Sequence, residues 1–223
     1  MSNLSNLFIS QSFYGMVNLE NSLEPLASAS GDVELQDGLG DNLGLRINAQ
    51  TKEFTVVNNF KVDGNSDFNG DLSKWDVSNV ETMESMFTCC KFNNDISNWD
   101  VSKVSNMSGM FYNAVLFNQD ISLWNTQKLI NASHMFYNAK SFNKGLNQWN
   151  VENLRSTLSM FENAVSFNAD LSNWNVEKLE IASFMFSGAV KFNKNLDNWK
   201  TYNLKNTSHM FYKAIKYNSK IFI

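Results

Sequence analysis

Proline occurs once in this 223-residue chain, and cysteine and histidine twice each. Each scarcity excludes something. The two cysteines, Cys89 and Cys90, are adjacent. A disulfide needs Cα atoms roughly 4.4–6.8 Å apart in a specific dihedral, which neighbours rarely reach, so no disulfide framework is expected. No stretch approaches the roughly 20 apolar residues that span a bilayer. The opening Met1-Ser-Asn-Leu-Ser-Asn-Leu-Phe-Ile-Ser10 is broken by polar residues and the first basic residue is Arg46, so no secretory signal is expected. No lipid-anchor cysteine stands near the N-terminus. Basic excess is also missing: 18 Lys and Arg face 22 Asp and Glu, a net charge of −4. Binding to a phosphate backbone needs clustered cations, so a nucleic-acid partner is not expected. No nucleophile elbow and no P-loop is present.

What the chain does have is apolar mass, 43% of its residues, enough to bury a core. Its charge is unevenly placed: Glu20, Glu24, Asp32, Glu34, Asp37 and Asp41 precede Lys52, with Arg46 as the one base there, and the remainder is close to neutral. Residues 1–66 hold Pro25 and the turn-rich run Asp37-Gly-Leu-Gly-Asp-Asn-Leu-Gly44. Leu45-Arg-Ile-Asn and Phe54-Thr-Val-Val read as short strands around the turn Asn48-Ala-Gln-Thr-Lys52. The expected division is an attachment or extended segment over 1–30, a β-rich capping or oligomerisation segment over 31–66, and tandem repeats over 67–223.

The repeats are read from their columns. All six tryptophans form one series, Trp75, Trp99, Trp124, Trp149, Trp174 and Trp199, spaced 24 and then four times 25. Such a period marks a repeat architecture. Seven residues before each stand Phe68, Phe92, Phe117, Phe142, Phe167 and Phe192, with Tyr217 opening a seventh unit. An asparagine follows each, Asn69, Asn93, Asn118, Asn143, Asn168, Asn193 and Asn218. Three before each Trp is Leu72, Ile96, Ile121, Leu146, Leu171 or Leu196, and a Met-Phe pair (Met86-Phe87 to Met210-Phe211) closes every unit. Val101, Val104, Met107, Met110, Phe111 and Ala114 recur at steps of three or four, which predicts a short helix with Ser102 near its start. Phe117 to Trp124 predicts a short strand. Together they predict an α/β fold, a right-handed leucine-rich-repeat-like solenoid of six 25-residue units. With strands about 4.8 Å apart it would be on the order of 30 Å long.

The segment Phe92-Asn-Asn-Asp-Ile-Ser-Asn-Trp-Asp-Val-Ser-Lys-Val-Ser-Asn-Met-Ser-Gly-Met-Phe111 resembles the repeat of the BspA-like leucine-rich surface proteins, a 25-residue class abundant in mycoplasma lipoproteins. The likeness covers residues 68–223. It implies a leucine-rich-repeat-like fold, surface display or adhesion, and no catalytic residue or cofactor. Residues 1–66 resemble the N-terminal attachment segments of phage and large-virus fibre proteins.

Aromatic columns in register bury against one another, so the tryptophans are expected as core. The asparagine column is expected to serve backbone groups at each bend. His134 and His209 share a phase three units apart, roughly 14 Å at strand spacing, too far to share a metal. Asp63-Gly-Asn65-Ser-Asp67 opens like a calcium loop, but Phe68 and Lys74 stand where glycine and glutamate are required. A non-EF-hand calcium site between Asp63 and Asp71 stays open. The glycosylation sequons at Asn106, Asn131 and Asn206 read as incidental, and Cys89 or Cys90 reads as a buried small hydrophobe. The outer columns vary: Gly70, Asn94, Gln119, Lys144, Ala169 and Lys194 in one, and Asp71, Asp95, Asp120, Gly145, Asp170 and Asn195 in the next. Asp71, Asp95, Asp120, Asp170, Gln119, Lys144 and Lys194 are therefore the candidate partner surface.

These residues lead to an expected non-enzyme without cofactor or metal, displayed on a virion or cell surface. It would contact a protein or glycan partner, as a fibre- or appendage-type component or as a monomeric adhesin or scaffold. The chain stops inside a seventh unit without a polar cap, which favours a homo-oligomer, a trimer first, through residues 1–66 or the C-terminal end.

Overall fold

In every repeat the backbone takes a left-handed turn twice, four residues apart. Positive φ occurs at Ser85, Gly109, His134, Ser159, Phe184 and His209, and again at Cys89, Asn113, Asn138, Asn163, Gly188 and Lys213, all between 52° and 67°. No right-handed helix survives such residues in its interior. The computed structural model describes residues 32–36, 42–48, 54–56 and 69–219. Among them there is no helix, and the only strands are β1 (Asp32–Gln36), β2 (Asn42–Asn48), β3 (Phe54–Val56) and β4 (Trp75–Asp76). The expected α/β leucine-rich-repeat-like solenoid is thereby overturned. The stripe from Val101 to Ala114 is not a helix, and the segment from Phe117 to Trp124 is not a strand.

The units are instead made of consecutive tight turns, stacked one on the next. In the unit following Phe92, N–H groups donate three residues back at Trp99→Ile96, Val104→Val101, Met110→Met107 and Ala114→Phe111, over 2.9–3.2 Å. Each of these turns has a buried residue at both corners. The inward carbonyl and the inward N–H therefore pair with each other, and the dry interior holds no orphaned backbone there. Alternate residues donate to the next unit: Met107→Asn131, Gly109→Ser133, Phe111→Met135 and Asn113→Tyr137, all 2.8–2.9 Å. Single parallel bridges run the length of the stack, Thr82 to Asn106, Asn131, Ser156, Ile181 and Asn206.

Around this backbone the columns fill the core. The Met-Phe phenylalanines and the phenylalanines five or six residues on, such as Phe111 with Phe117, face each other at 3.7–4.1 Å between ring centroids. Successive units stack Phe87, Phe111, Phe136, Phe161, Phe186 and Phe211 at 5.5–5.7 Å. Trp99, Trp124, Trp149, Trp174 and Trp199 are buried, and Trp75 is half-buried. Each buried indole N–H donates to an aliphatic residue's carbonyl one unit back, as Trp124 Nε1 does to Ile96 at 3.1 Å and Trp149 to Ile121 at 2.9 Å. That carbonyl also accepts the backbone N–H of its own unit's tryptophan, Trp99 N to Ile96 O. The asparagines form a second ladder. The side-chain oxygens of Asn69, Asn93, Asn118, Asn143, Asn168 and Asn193 accept the backbone N–H of the asparagine one unit on, over 2.8–3.2 Å.

The N-terminal strands join the stack directly. Antiparallel β1, β2 and β3 form one sheet with β4, in that order. Arg46 and Thr55 are partners across β2 and β3, while Phe54 and Trp75 are partners across the parallel β3–β4 pair. β3 thus sits where a preceding unit's tryptophan segment would lie. β1, which the sequence reading did not single out, carries an irregularity in register between Glu34 and Gln36. The expected attachment segment 1–30 and the final Ile221-Phe222-Ile223 lie outside the described residues.

Because Trp149 is buried with its indole N–H bonded, Trp149→Ala should lower unfolding free energy by roughly 3–5 kcal/mol. Asn143→Ala removes one rung bond and should cost about 1 kcal/mol. Urea unfolding followed by circular dichroism measures both, and equal losses would contradict this ordering.

Candidate functional site

The acidic row is built by turn chemistry. Oδ1 of Asp71, Asp95, Asp120 and Asp170 accepts the backbone N–H of Ser73, Ser97, Ser122 and Ser172, each at 2.9–3.0 Å. Gly145 interrupts the row, and Asn195 makes the same bond to Asp197 at 2.7 Å. Hydrogen bonds from the serines hold the Asp71, Asp95 and Asp120 carboxyls below the ordinary range. Depressed carboxyls stabilise the fold above their ordinary pKa, and that contribution fades as pH falls through their lowered values. Beside this row, the Asn94 side chain donates to the Asn69 carbonyl and the Gln119 side chain to the Asn93 carbonyl. Lys144 and Lys194 stand half-buried in the same column as Gln119. The structure thus keeps the candidate residues on one face, with the aspartates and Gln119 bonded to backbone. The candidate calcium site between Asp63 and Asp71 has Asp63 outside the described residues. Among the described residues no group of three or more His, Cys, Asp or Glu could hold a metal.

A second face collects what the sequence reading passed over. One residue after each Met-Phe pair stand Thr88, Tyr112, Tyr137, Glu162, Ser187 and Tyr212. Tyr112 and Tyr137 stack at 4.6 Å, with His134 tilted 6.2 Å from Tyr137. His209 stacks on Phe184 at 5.0 Å, and Lys213 lies 5.1 Å over the Tyr212 ring. The two histidines therefore belong to a left-handed turn column that also admits serine, glycine and phenylalanine. In the first two units that column holds Ser85 and Gly109, and the tyrosine column begins with Thr88. These small residues leave a notch of about 330 Å³, bordered by Glu84, Thr88, Gly109, Tyr112 and His134. A smaller one, about 290 Å³, opens beside Lys128 and Arg155 on another face. Arg155 and Lys205 both pair with Glu180, at 2.7 and 2.6 Å, and lower its pKa.

The sequons have a local explanation. The side-chain oxygens of Asn106, Asn131 and Asn206 accept the N–H of Ser108, Ser133 and Ser208 at 3.0–3.1 Å. Asn-x-Ser here is the signature of a side-chain-closed turn.

A family described as "Mycoplasma protein of unknown function, DUF285" matches residues 55–165 and 143–222. The chain belongs to that family. No curated protein and no solved structure matches it. The overlapping DUF285 matches mark a tandem-repeat protein of a mycoplasma-type repeat family. They begin inside β3, ahead of the first repeat phenylalanine, where the structure shows β3 pairing with β4 as an added rung. No helix of the described residues is long and apolar enough to cross a membrane.

The first DUF285 unit also explains the cysteines. Cys90 is buried in the column that elsewhere holds Ala114, Ala139, Ala164 and Ala189, while Cys89 is exposed. Burial pushes the Cys90 thiol up from 9.0 to about 11. A thiol reagent at neutral pH should modify Cys89 in the native protein and reach Cys90 only after unfolding, as peptide mapping would show. The raised pKa favours the folded state below pH 9, and that advantage fades as pH rises through 11. Cys90→Ala, which matches the column, should fold normally at pH 7 and lose less stability between pH 9 and 11 than the parent. An identical decline in both would refute the assignment.

Proposed function

We propose that the chain is a non-catalytic, displayed recognition protein whose stack of repeats contacts a protein or glycan partner. One observation carries this reading: the repeated polar residues serve the backbone, while the outward columns change from unit to unit. Asparagines link the units, aspartates close turns, and tryptophan N–H groups serve buried carbonyls. Against that constant frame, Gln119, Lys144, Ala169 and Lys194 follow one another in one outer column, and Tyr112, Tyr137, Glu162 and Ser187 in another. A constant interior with a changeable exterior distributes recognition over an extended surface, as other repeat proteins do.

The finer assignment follows the resemblance: a BspA-like repeat protein acting in adhesion or surface display, whether on a cell or as a virion appendage. Assembly as a homo-oligomer, a trimer first, would present several columns at once and raise avidity without new contacts.

Labelled full-length protein, probed against a glycan array and a panel of purified cell-surface proteins, should show saturable binding to at least one class. Replacing Lys144 and Lys194 by alanine, or filling the notch beside Tyr112, should identify the contacting face without altering the melting temperature. Light scattering on the full chain reads the assembly state, a trimer being expected. Absence of saturable binding to both classes would overturn the recognition reading.

A further inference from the structure

A regular stack offers ridges and columns but no concavity. The notch beside Tyr112 lies where three small residues meet in adjacent units: Ser85 and Gly109 in the column that also holds His134, Ser159, Phe184 and His209, and Thr88 in the column that also holds Tyr112, Tyr137, Glu162, Ser187 and Tyr212. One face of Tyr112 is covered by Tyr137 at 4.6 Å with nearly parallel planes. Toward the preceding unit it meets the side of the stack where Thr88 replaces a ring. His134 likewise has glycine in place of a ring one unit back. Gly109 keeps the space open, since a Cβ there would lie 3.2 Å from the Ser85 hydroxyl oxygen.

The polar groups around this space are hydroxyls, one carboxylate and the His134 imidazole. Ser85, Thr88 and Ser108 bring hydroxyls, and Glu84 brings a carboxylate that accepts from the Asn106 side-chain amide at 3.1 Å. The Thr88 hydroxyl is held by donating to the Gly109 carbonyl at 3.0 Å. An aromatic face, whose electron-rich surface attracts C–H groups, stands beside short hydroxyl and carboxylate acceptors. That combination suits a ligand with an apolar C–H face and a polar hydroxyl rim. Lys and Arg are absent from the lining, and Glu84 disfavours anionic ligands. The volume, about 330 Å³, sits at the small end of ligand sites.

We infer that the notch bordered by Tyr112, His134, Thr88, Gly109 and Glu84 is a binding site for an uncharged pyranose at the end of a glycan, stacked on the free side of Tyr112. The inference rests on the recognition reading and names its ligand class. Three variants test it because the repeat itself vouches for their folding. Tyr112→Ala removes the platform at a phase where Thr88, Glu162 and Ser187 are already accepted. Thr88→Tyr and Gly109→His close the notch with residues that later units carry at the same phases, the histidines at φ of 57° and 58°.

Full-length protein would be titrated calorimetrically with neutral hexose- and N-acetylhexosamine-terminated oligosaccharides, and with sialylated counterparts. The expected result is binding of a neutral sugar, weakened about tenfold or more by Tyr112→Ala and by either notch-closing variant. Sialylated forms should bind more weakly, and melting temperatures should shift by no more than a few degrees. Neutral-sugar binding that survives all three variants would place the site elsewhere and overturn the inference, leaving the recognition reading intact. Protein binding without sugar binding would have the same effect. No binding of either class would overturn both.

Discussion

The division of backbone N–H groups between two destinations governs this molecule. Within a unit, one set closes three-residue turns, most of them with buried corners; another reaches the carbonyls of the next unit, as Met107, Gly109, Phe111 and Asn113 do. The alternation requires the chain to reverse its hand at two fixed phases, and every unit does so, even at His134 and Phe184 where a side chain resists it. Because each unit's donors end on its neighbour, no unit is complete alone. Stacking is therefore a condition of forming the unit at all, which is the physical meaning of nearest-neighbour stability in repeat arrays.

The core follows from the same rule. A turn with apolar corners points two side chains inward every three residues, so apolar residues stand in columns, and the phenylalanines of successive units stack on one another. Tryptophan closes the arrangement. Its indole N–H needs an acceptor in a dry interior, and the carbonyl it finds, such as that of Ile96, has a second lone pair because the turn uses only one. Asparagine performs the equivalent task nearer the surface.

Much of this could be read from the residues. The 25-residue period, the tryptophan and phenylalanine columns and the asparagine column are visible because they are invariant along the chain. The helix was misread for a definable reason. Turns with buried corners repeat every three residues, and over Val101, Val104, Met107, Met110 and Ala114 that spacing cannot be told from the 3.6-residue period of a helix. The discriminating signal stood at Gly109 and Asn113 and their counterparts, where glycine and asparagine recur at left-handed positions. Serine and histidine in the same phase disguised it. β1 was missed because Asp-Val-Glu-Leu-Gln has two acids in five residues, and β3 was not recognised as a rung because its spacing to Trp75 is shorter than the period. The aspartate row was read as a surface, whereas turn closure accounts for one oxygen of each carboxylate.

Departures from a repeat say more about recognition than the repeat itself. Columns that recur are fixed by the backbone they serve, and they would look the same whatever the protein contacts. A concavity, by contrast, requires that a unit fail to supply the side chain its neighbours supply. In this chain Ser85, Thr88 and Gly109 fall in adjacent units, next to the 24-residue spacing that shortens the first repeat. Later units also lack a ring at single positions, Ser159, Glu162 and Ser187, but Ser85, Thr88 and Gly109 border one notch together. The gap above Tyr112 is thus local and bounded, with an aromatic face on one side and a glycine that admits no Cβ without crowding Ser85. Where a ring has no ring beside it and small hydroxyl-bearing residues leave space, as at Tyr112, a ligand can complete the column.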